Sequence, residues 1–259
     1  MVVDIHNHTK LCNHAEGEPF EYVEKAIKNG TKFFGFSDHA PMNFDEEYRM
    51  SFEAMEDYEN DIKGLRERYE KDIEILLGYE VDFLKGYMDE RVLDSRVDFL
   101  IGSVHFLNGW GFDNPEFIGE YKGKDIDLLW ERYFEAVEDM AKSGRFDIAG
   151  HLDLIKVFGF MPKKDIKSIS SNAIKAIKKA NMTVELNAAG LRKPCKEVYP
   201  SKEILEVVAE LDIPITFASD AHKPEQVGEG SEELKRLAKL FGYEKCAIYK
   251  DRDRQLIKF

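Results

Sequence analysis

The chain has 259 residues, with 37 Lys+Arg against 50 Asp+Glu and a net charge of −13. That length suits one large domain, or at most two small ones, and roughly 70–75% of its extended-chain surface can be buried without a disulfide or metal staple. The acidic balance argues against sequence-independent nucleic-acid binding, and no apolar run nears the ~18 residues of a membrane span. The composition, 43% hydrophobic and 34% charged, is that of a soluble globular protein. Cys12, Cys195 and Cys246 are far apart and form no CxxC, so neither a disulfide framework nor a cysteine zinc site is expected. A reducing cytoplasm is the expected location.

The opening MVVDIHNHT has no basic start followed by an apolar stretch, so no secretory leader is expected there. Strands are expected at 2–5, 32–36, 73–81, 97–104, 146–150, 183–187, 214–219 and 245–249. Helical patterns lie between them at about 19–29, 51–70, 125–143, 163–180, 201–211 and 231–241. In the third of these, Ile126, Leu129, Trp130, Tyr133, Val137 and Met140 make one apolar face. Gly30 and Gly144 stand where helix C-caps belong, and Ser201 where an N-cap does. Strand–helix alternation through the whole chain predicts a parallel sheet, and seven or eight units favour a closed β/α barrel over an open sheet. No linker divides the chain, so residues 1–259 read as a single domain. The glycine- and aromatic-rich segment 106–124 is expected to be a loop over the barrel mouth.

All seven histidines lie at or just beyond the C-terminal end of an expected strand. His6, His8 and His14 follow the first, His39 the second, His105 the fourth, His151 the fifth and His222 the seventh. Carboxylates join them: Glu80 ends the third strand and Asp220 precedes His222 by two. In a β/α barrel these ends form one rim, where active sites are built. One histidine alone says little, but this many at strand ends, with none left on a helix face, is not scatter. The strand period of two points the His6 and His8 imidazoles to one side. Glu80 alone could face solvent; beside the histidines it is the best candidate for a bridging carboxylate. Six or seven imidazoles with two or three carboxylates exceed one ion's needs and imply two or three metals. Imidazole suits zinc, iron, manganese or copper. Paired metals activate water and clamp the oxygens of a displaced group, as in phosphatases and nucleases.

The set HNH at 6–8, His14, SDHA at 37–40, GYE at 78–80, GSVH at 102–105, GHLD at 150–153 and SDAH at 219–222 resembles the polymerase-and-histidinol-phosphatase (PHP) superfamily over nearly the whole chain. The resemblance implies a distorted, TIM-like parallel (β/α)7 barrel with a trinuclear site of zinc, iron or manganese. It implies His6, His8, Glu80 and Asp220 as ligands of a first metal. Glu80, His105 and His151 would hold a second, with Glu80 bridging, and His14, His39 and His222 a third.

Within that superfamily, ELNAAGLRK at 185–193 is similar to the NxxGLRK segment of histidinol-phosphate phosphatases, with Ala188-Ala189 where that family usually has Thr-Ser. This implies hydrolysis of histidinol phosphate, a small phosphate monoester. Arg192 can grip phosphate through its planar fork, and Lys156 is a second candidate cation, unless it is a solvated loop lysine. Asp220 or His222 could assist the leaving alkoxide. Asp153 or Glu18 could receive the substrate's ammonium and imidazole. The alternatives are a phosphoesterase for a nucleotide or nucleic-acid end, which the acidic surface disfavours, and a non-catalytic binding module, which would have lost ligands.

Overall fold

In the computed structural model, which describes Met1–Phe259, the apolar runs become strands buried on both faces. They are β1 (Val3–Asp4), β2 (Phe33–His39), β3 (Glu74–Asp82) and β4 (Phe99–Ser103). A short hairpin follows, β5 (Phe106–Leu107) and β6 (Trp110–Gly111), and then β7 (Ile148–Ala149), β8 (Thr183–Asn187) and β9 (Ile215–Ala218). Seven strands pair in parallel in the order β1-β2-β3-β4-β7-β8-β9. The ring closes where the segment after β1 meets β9. The Ile5 amide donates to the Phe217 carbonyl at 3.2 Å, the Asp220 amide to His6 at 2.9 Å and the His8 amide to Ala221 at 3.0 Å. The protein is thus the distorted β/α barrel of seven strands that the resemblance implied.

Helices cover the outside: α1 (Pro19–Lys28), α2 (Met55–Arg68), the single turn α3 (Glu90–Leu93), α4 (Ile126–Ser143), α5 (Ile166–Lys179), α6 (Lys202–Glu210) and α7 (Ser231–Leu240). Asp125 caps α4 by accepting from the Leu128 amide, and Gly144 ends it in the left-handed region at φ 67°. The expected apolar face of α4 is buried except for Ile126, which is half-buried. Ser201 does stand at the N-cap of α6, but its side chain makes no cap bond. Its amide donates to Asp153 instead, at 2.9 Å. One apolar cluster of 68 buried residues runs from Val3 to Tyr249.

The expected eighth strand forms but does not join the barrel. β10 (Lys245–Lys250) pairs antiparallel with β11 (Asp253–Lys258). Thr216 of β9 donates to the Ala247 carbonyl at 2.9 Å and so anchors the hairpin to the barrel wall. β11 carries no apolar alternation and is half-exposed, which left it invisible in the sequence pattern. The segment after β4 does cover the mouth, but its base is a hairpin. Asn108 and Gly109 have φ 54° and 80°, the paired positive values of a two-residue turn that matches strand twist. No helix is long and apolar enough to cross a membrane.

Candidate metal centre

Register places the centre of the site. In the parallel β2–β3 pair His39 stands opposite Glu80. Their side chains leave the same face, and His39 Nδ1 lies 3.0 Å from Glu80 Oε2. Four further imidazoles converge on that carboxylate. His151 Nε2 is 2.8 Å and His105 Nε2 3.6 Å from Oε1, while His6 Nε2 is 3.3 Å and His8 Nε2 3.7 Å from Oε2. His8 Nε2 also lies 3.3 Å from Asp220 Oδ1. At the outer edge His14 Nε2 and His222 Nε2 approach to 3.1 Å.

The outward-facing ring nitrogens decide what the inward ones offer. His6 Nδ1 meets Glu185 at 2.7 Å, His8 Nδ1 meets Asp38 at 3.3 Å and His105 Nδ1 meets Asp82 at 2.7 Å. His14 Nδ1 meets the Cys12 carbonyl at 2.8 Å, and His222 Nδ1 the Asp220 carbonyl at 3.3 Å. Each of these oxygens is an acceptor, so the hydrogen-bond network keeps the proton on Nδ1 and leaves Nε2 as the atom that can bind a metal. The Nε2 atoms of His6 and His8 are fully buried and have no hydrogen-bond partner. Burial lowers both rings, but Glu185, Glu80 and Asp220 around His6, and Asp220 and Asp38 around His8, raise them well above an ordinary imidazole, so nitrogens placed this way fit divalent cations that displace a proton. The donors fall into groups whose ligand atoms lie within 4.8 Å of one another: His6, His8 and Glu80; Glu80, His105 and His151; His14, His39 and His222. These match the three sets implied by the resemblance, with Asp220 beside the first. A thiol was not expected here, yet Cys12 Sγ groups with His8 and His222; it donates to the Thr9 carbonyl at 3.1 Å.

Electrostatics separate two kinds of ligand. Burial would raise the Glu80 carboxyl, but the imidazoles of His39, His6 and His105 outweigh it and hold the pKa well below the usual range. Asp220 is held down in the same way by His6, His8 and His222. Both are therefore anionic. Burial, together with the charge of His8, pushes His39 and His222 well below an ordinary imidazole. Both are neutral and free to donate to a metal. His105 is buried too, but the carboxylates of Asp82, Asp113 and Glu80 raise it to about 10, so a metal there must displace a proton. A cavity of about 530 Å³ opens over this cluster, edged by Arg49, Asp113, Phe117, Arg192 and Lys193.

The PHP domain family matches residues 4–189, and the PHP-associated family matches 202–237. This chain belongs to the PHP family. The "Probable histidinol-phosphatase" of Deinococcus radiodurans is 39% identical over 230 residues, 87% of this chain and 88% of that protein. The "Histidinol-phosphatase" of Bacillus subtilis is 28% identical, over 88% of this chain and 96% of that one. Histidinol phosphate phosphatase of Lactococcus lactis, solved with zinc, L-histidinol and phosphate, shares the fold with a TM-score of 0.78 at 19% identity, covering 98% of each chain.

Several expected substrate contacts of this PHP protein are elsewhere. Lys156 is 0% exposed and does not line the cavity. Its ammonium pairs with Asp153 at 3.0 Å and Glu197 at 2.8 Å and donates to the Val198 carbonyl at 2.8 Å. It is a structural cation tying the loop after β7 to the loop after β8. Asp153 is fully buried, does not line the cavity and gives one oxygen to that pair and to the Ser201 amide, so it is not the acceptor for a substrate ammonium. Glu18 is exposed, begins α1 in a capping box with Glu21 and pairs with Lys10 at 2.7 Å, away from the cavity. Arg192 does line the cavity, but its Nη2 already donates to the Ser219 and Asp220 carbonyls at 2.9 and 2.8 Å. Gly190, two residues earlier, is required because a Cβ there would run into the Glu197 backbone.

The sequence reading passed over the carboxylates behind the histidines: Asp38, Asp82 and Glu185. Asp82 carried a usable signal, since it follows Glu80 by two along one strand and so shares its face. Glu185 did not, because the histidine it holds is 179 residues away.

Proposed function

We infer that this PHP protein is a histidinol-phosphate phosphatase: it hydrolyses histidinol phosphate to histidinol and inorganic phosphate, and it depends on metal. The observation that carries the reading is the convergence of seven imidazoles with Glu80 and Asp220 beneath one cavity, in a chain 39% identical to a protein named for this activity. The donor sets favour three divalent ions, of zinc, iron or manganese, one per group. Such ions supply Lewis acidity for a phosphoryl oxygen and water activated at neutral pH.

The chain's own residues do the rest. Glu80 presents one oxygen to each of two donor groups, the geometry of a bridge. Asp38, Asp82 and Glu185 hold the rings of His8, His105 and His6 in one tautomer and orientation. Arg192 borders the cavity with its Nη1 edge, which meets only the half-exposed Glu229, at 3.3 Å, and can take a phosphate oxygen. Asp220 and His222 line the cavity wall; with Asp220 anionic and His222 neutral, they would assist the departing alkoxide by holding the metal that stabilises it rather than by giving it a proton. Residues 1–259 act as one domain, in the cytoplasm, on a small molecule.

Phosphate release from histidinol phosphate, set beside a panel of nucleotides and 4-nitrophenyl phosphate with metal-loaded protein, tests the reading. Histidinol phosphate should have the highest kcat/KM. A nucleotide in first place would replace the substrate, and no turnover of any ester would replace the activity.

A further inference from the structure

Five carboxylates line the cavity: Asp45, Glu80, Asp82, Asp113 and Asp220. Four are committed within the protein. Glu80 and Asp220 face the imidazoles. Asp82 holds His105 Nδ1 at 2.7 Å with one oxygen and Arg49 Nη1 at 3.0 Å with the other. Asp45 accepts from Arg49 Nη2 at 3.2 Å. The single guanidinium of Arg49 thus pairs with two of them. Asp113 has no ion pair and accepts no hydrogen bond from another side chain.

Its setting is specific. Asp113 lies in the segment that folds over the mouth, two residues after Gly111, and is half-buried. A Cβ on Gly111 would meet Phe106 at 3.4 Å and Phe117 at 3.8 Å, so both rings flank the backbone that leads to Asp113. Both rings also line the cavity. Asp113 faces the charge of His105 only through space, and aromatic rings beside a carboxylate with no direct partner favour a cation with a flat or apolar body. The phosphate of a small ester must lie at the imidazoles and Arg192. The same cavity runs from that centre to this segment, which is therefore a wall that the rest of the ester can meet.

We propose that Asp113 pairs with the positive charge on the alcohol part of the substrate, and that it makes the pocket prefer phosphate monoesters bearing an ammonium or imidazolium group. This rests on the phosphatase reading above and adds its specificity residue. The Asp153 and Glu18 carboxylates cannot fill the role from where they lie.

The test compares esters matched except for charge. For metal-loaded parent and Asp113→Asn, kcat/KM is measured on phosphoethanolamine against ethyl phosphate, and on histidinol phosphate. The cationic-over-neutral ratio should fall about 10- to 100-fold in the variant, the range of one charge-assisted contact, chiefly through KM. Metal content should match the parent's. Asp113→Glu keeps the charge and should retain most of the preference. A ratio unchanged in Asp113→Asn overturns the proposal, as does an equal loss on both esters, which would tie Asp113 to the metal centre instead. If the parent prefers phosphoethanolamine over ethyl phosphate but ignores histidinol phosphate, and the preference still falls in Asp113→Asn, the substrate reading fails and the role of Asp113 stands.

Discussion

His14 and His222 face each other Nε2 to Nε2 at 3.1 Å, and both Nδ1 atoms point at backbone carbonyls. A carbonyl can only accept, so both protons sit on Nδ1 and two lone pairs oppose one another. Two neutral imidazoles cannot hold that arrangement by a hydrogen bond between them; a cation shared by both nitrogens, with His39 as a further donor, satisfies it. Removing one partner should therefore cost one ion and leave the rest. Parent protein should carry three equivalents of divalent metal by elemental analysis. His222→Ala should carry one fewer and keep its fold by circular dichroism. Loss of all metal would make the cluster a single cooperative unit rather than three sites.

Metal removal should leave the protein folded. The apolar cluster of 68 residues does not depend on the rim, unlike a small metal-stapled domain. Chelator-treated protein should be inactive, retain its helical signal and melt cooperatively, and divalent metal should restore activity. Unfolding on chelation would show the centre to be structural.

Glu80→Gln keeps the shape and removes the charge at the point where five imidazoles converge. Its amide would also turn an N–H toward lone pairs that need a cation. Turnover should fall by roughly 10³-fold or more, several kcal/mol of lost Lewis-acid action, with metal occupancy falling in parallel. Near-parental turnover would place Glu80 outside the reaction.

The convergence of the histidines with Glu80 and Asp220 was legible because strand ends and a period of two suffice to bring them to one rim. Their partners were not, because Glu185 reaches His6 only through the register of β8 in the closed ring. Lys156 shows the same limit from the other side. Five residues past His151 it read as a rim cation, yet its partner Glu197 comes 41 residues later, and that contact turns it inward. A lysine's destination depends on which carboxylate the fold brings beside it, and no local pattern encodes that.

Lys156→Met tests this placement. It leaves Asp153 buried without its cation, which costs about 3–5 kcal/mol. For a chain of this size the melting temperature should drop by roughly 6–20 °C. KM for histidinol phosphate, measured well below the transition, should stay within about twofold. A parental melting temperature with a raised KM would return Lys156 to the substrate.

The thiols should differ in reactivity. Burial pushes the Cys246 thiol up to about 12 and raises Cys12 as well, whereas Cys195 is half-exposed. The reactive form is the thiolate, so a raised pKa keeps Cys246 neutral from pH 7 to well past pH 9. Iodoacetamide at pH 8 should add one group to native protein, at Cys195, and three after denaturation, by intact mass. Native labelling at Cys246 would mean that the β10–β11 hairpin opens.

Arg192 serves two masters in the structure, and a conservative change separates them. Its Nη2 bridges the Ser219 and Asp220 carbonyls, which holds the backbone of a candidate ligand, while Nη1 meets only Glu229 and the residue lines the cavity. Arg192→Lys keeps one positive charge and loses the fork, so it cannot do both. Losing one charge-assisted hydrogen bond costs roughly 1.5–3 kcal/mol, a fall in kcat/KM on histidinol phosphate of about 10- to 150-fold. If the arginine grips phosphate, the inhibition constant of inorganic phosphate should rise by a similar factor, with metal stoichiometry unchanged because arginine is no ligand. If instead the phosphate constant is unchanged and the variant loses metal from the Asp220 group, Arg192 acts only as a brace for that loop. The pocket's grip on phosphate would then fall to the metals and Lys193.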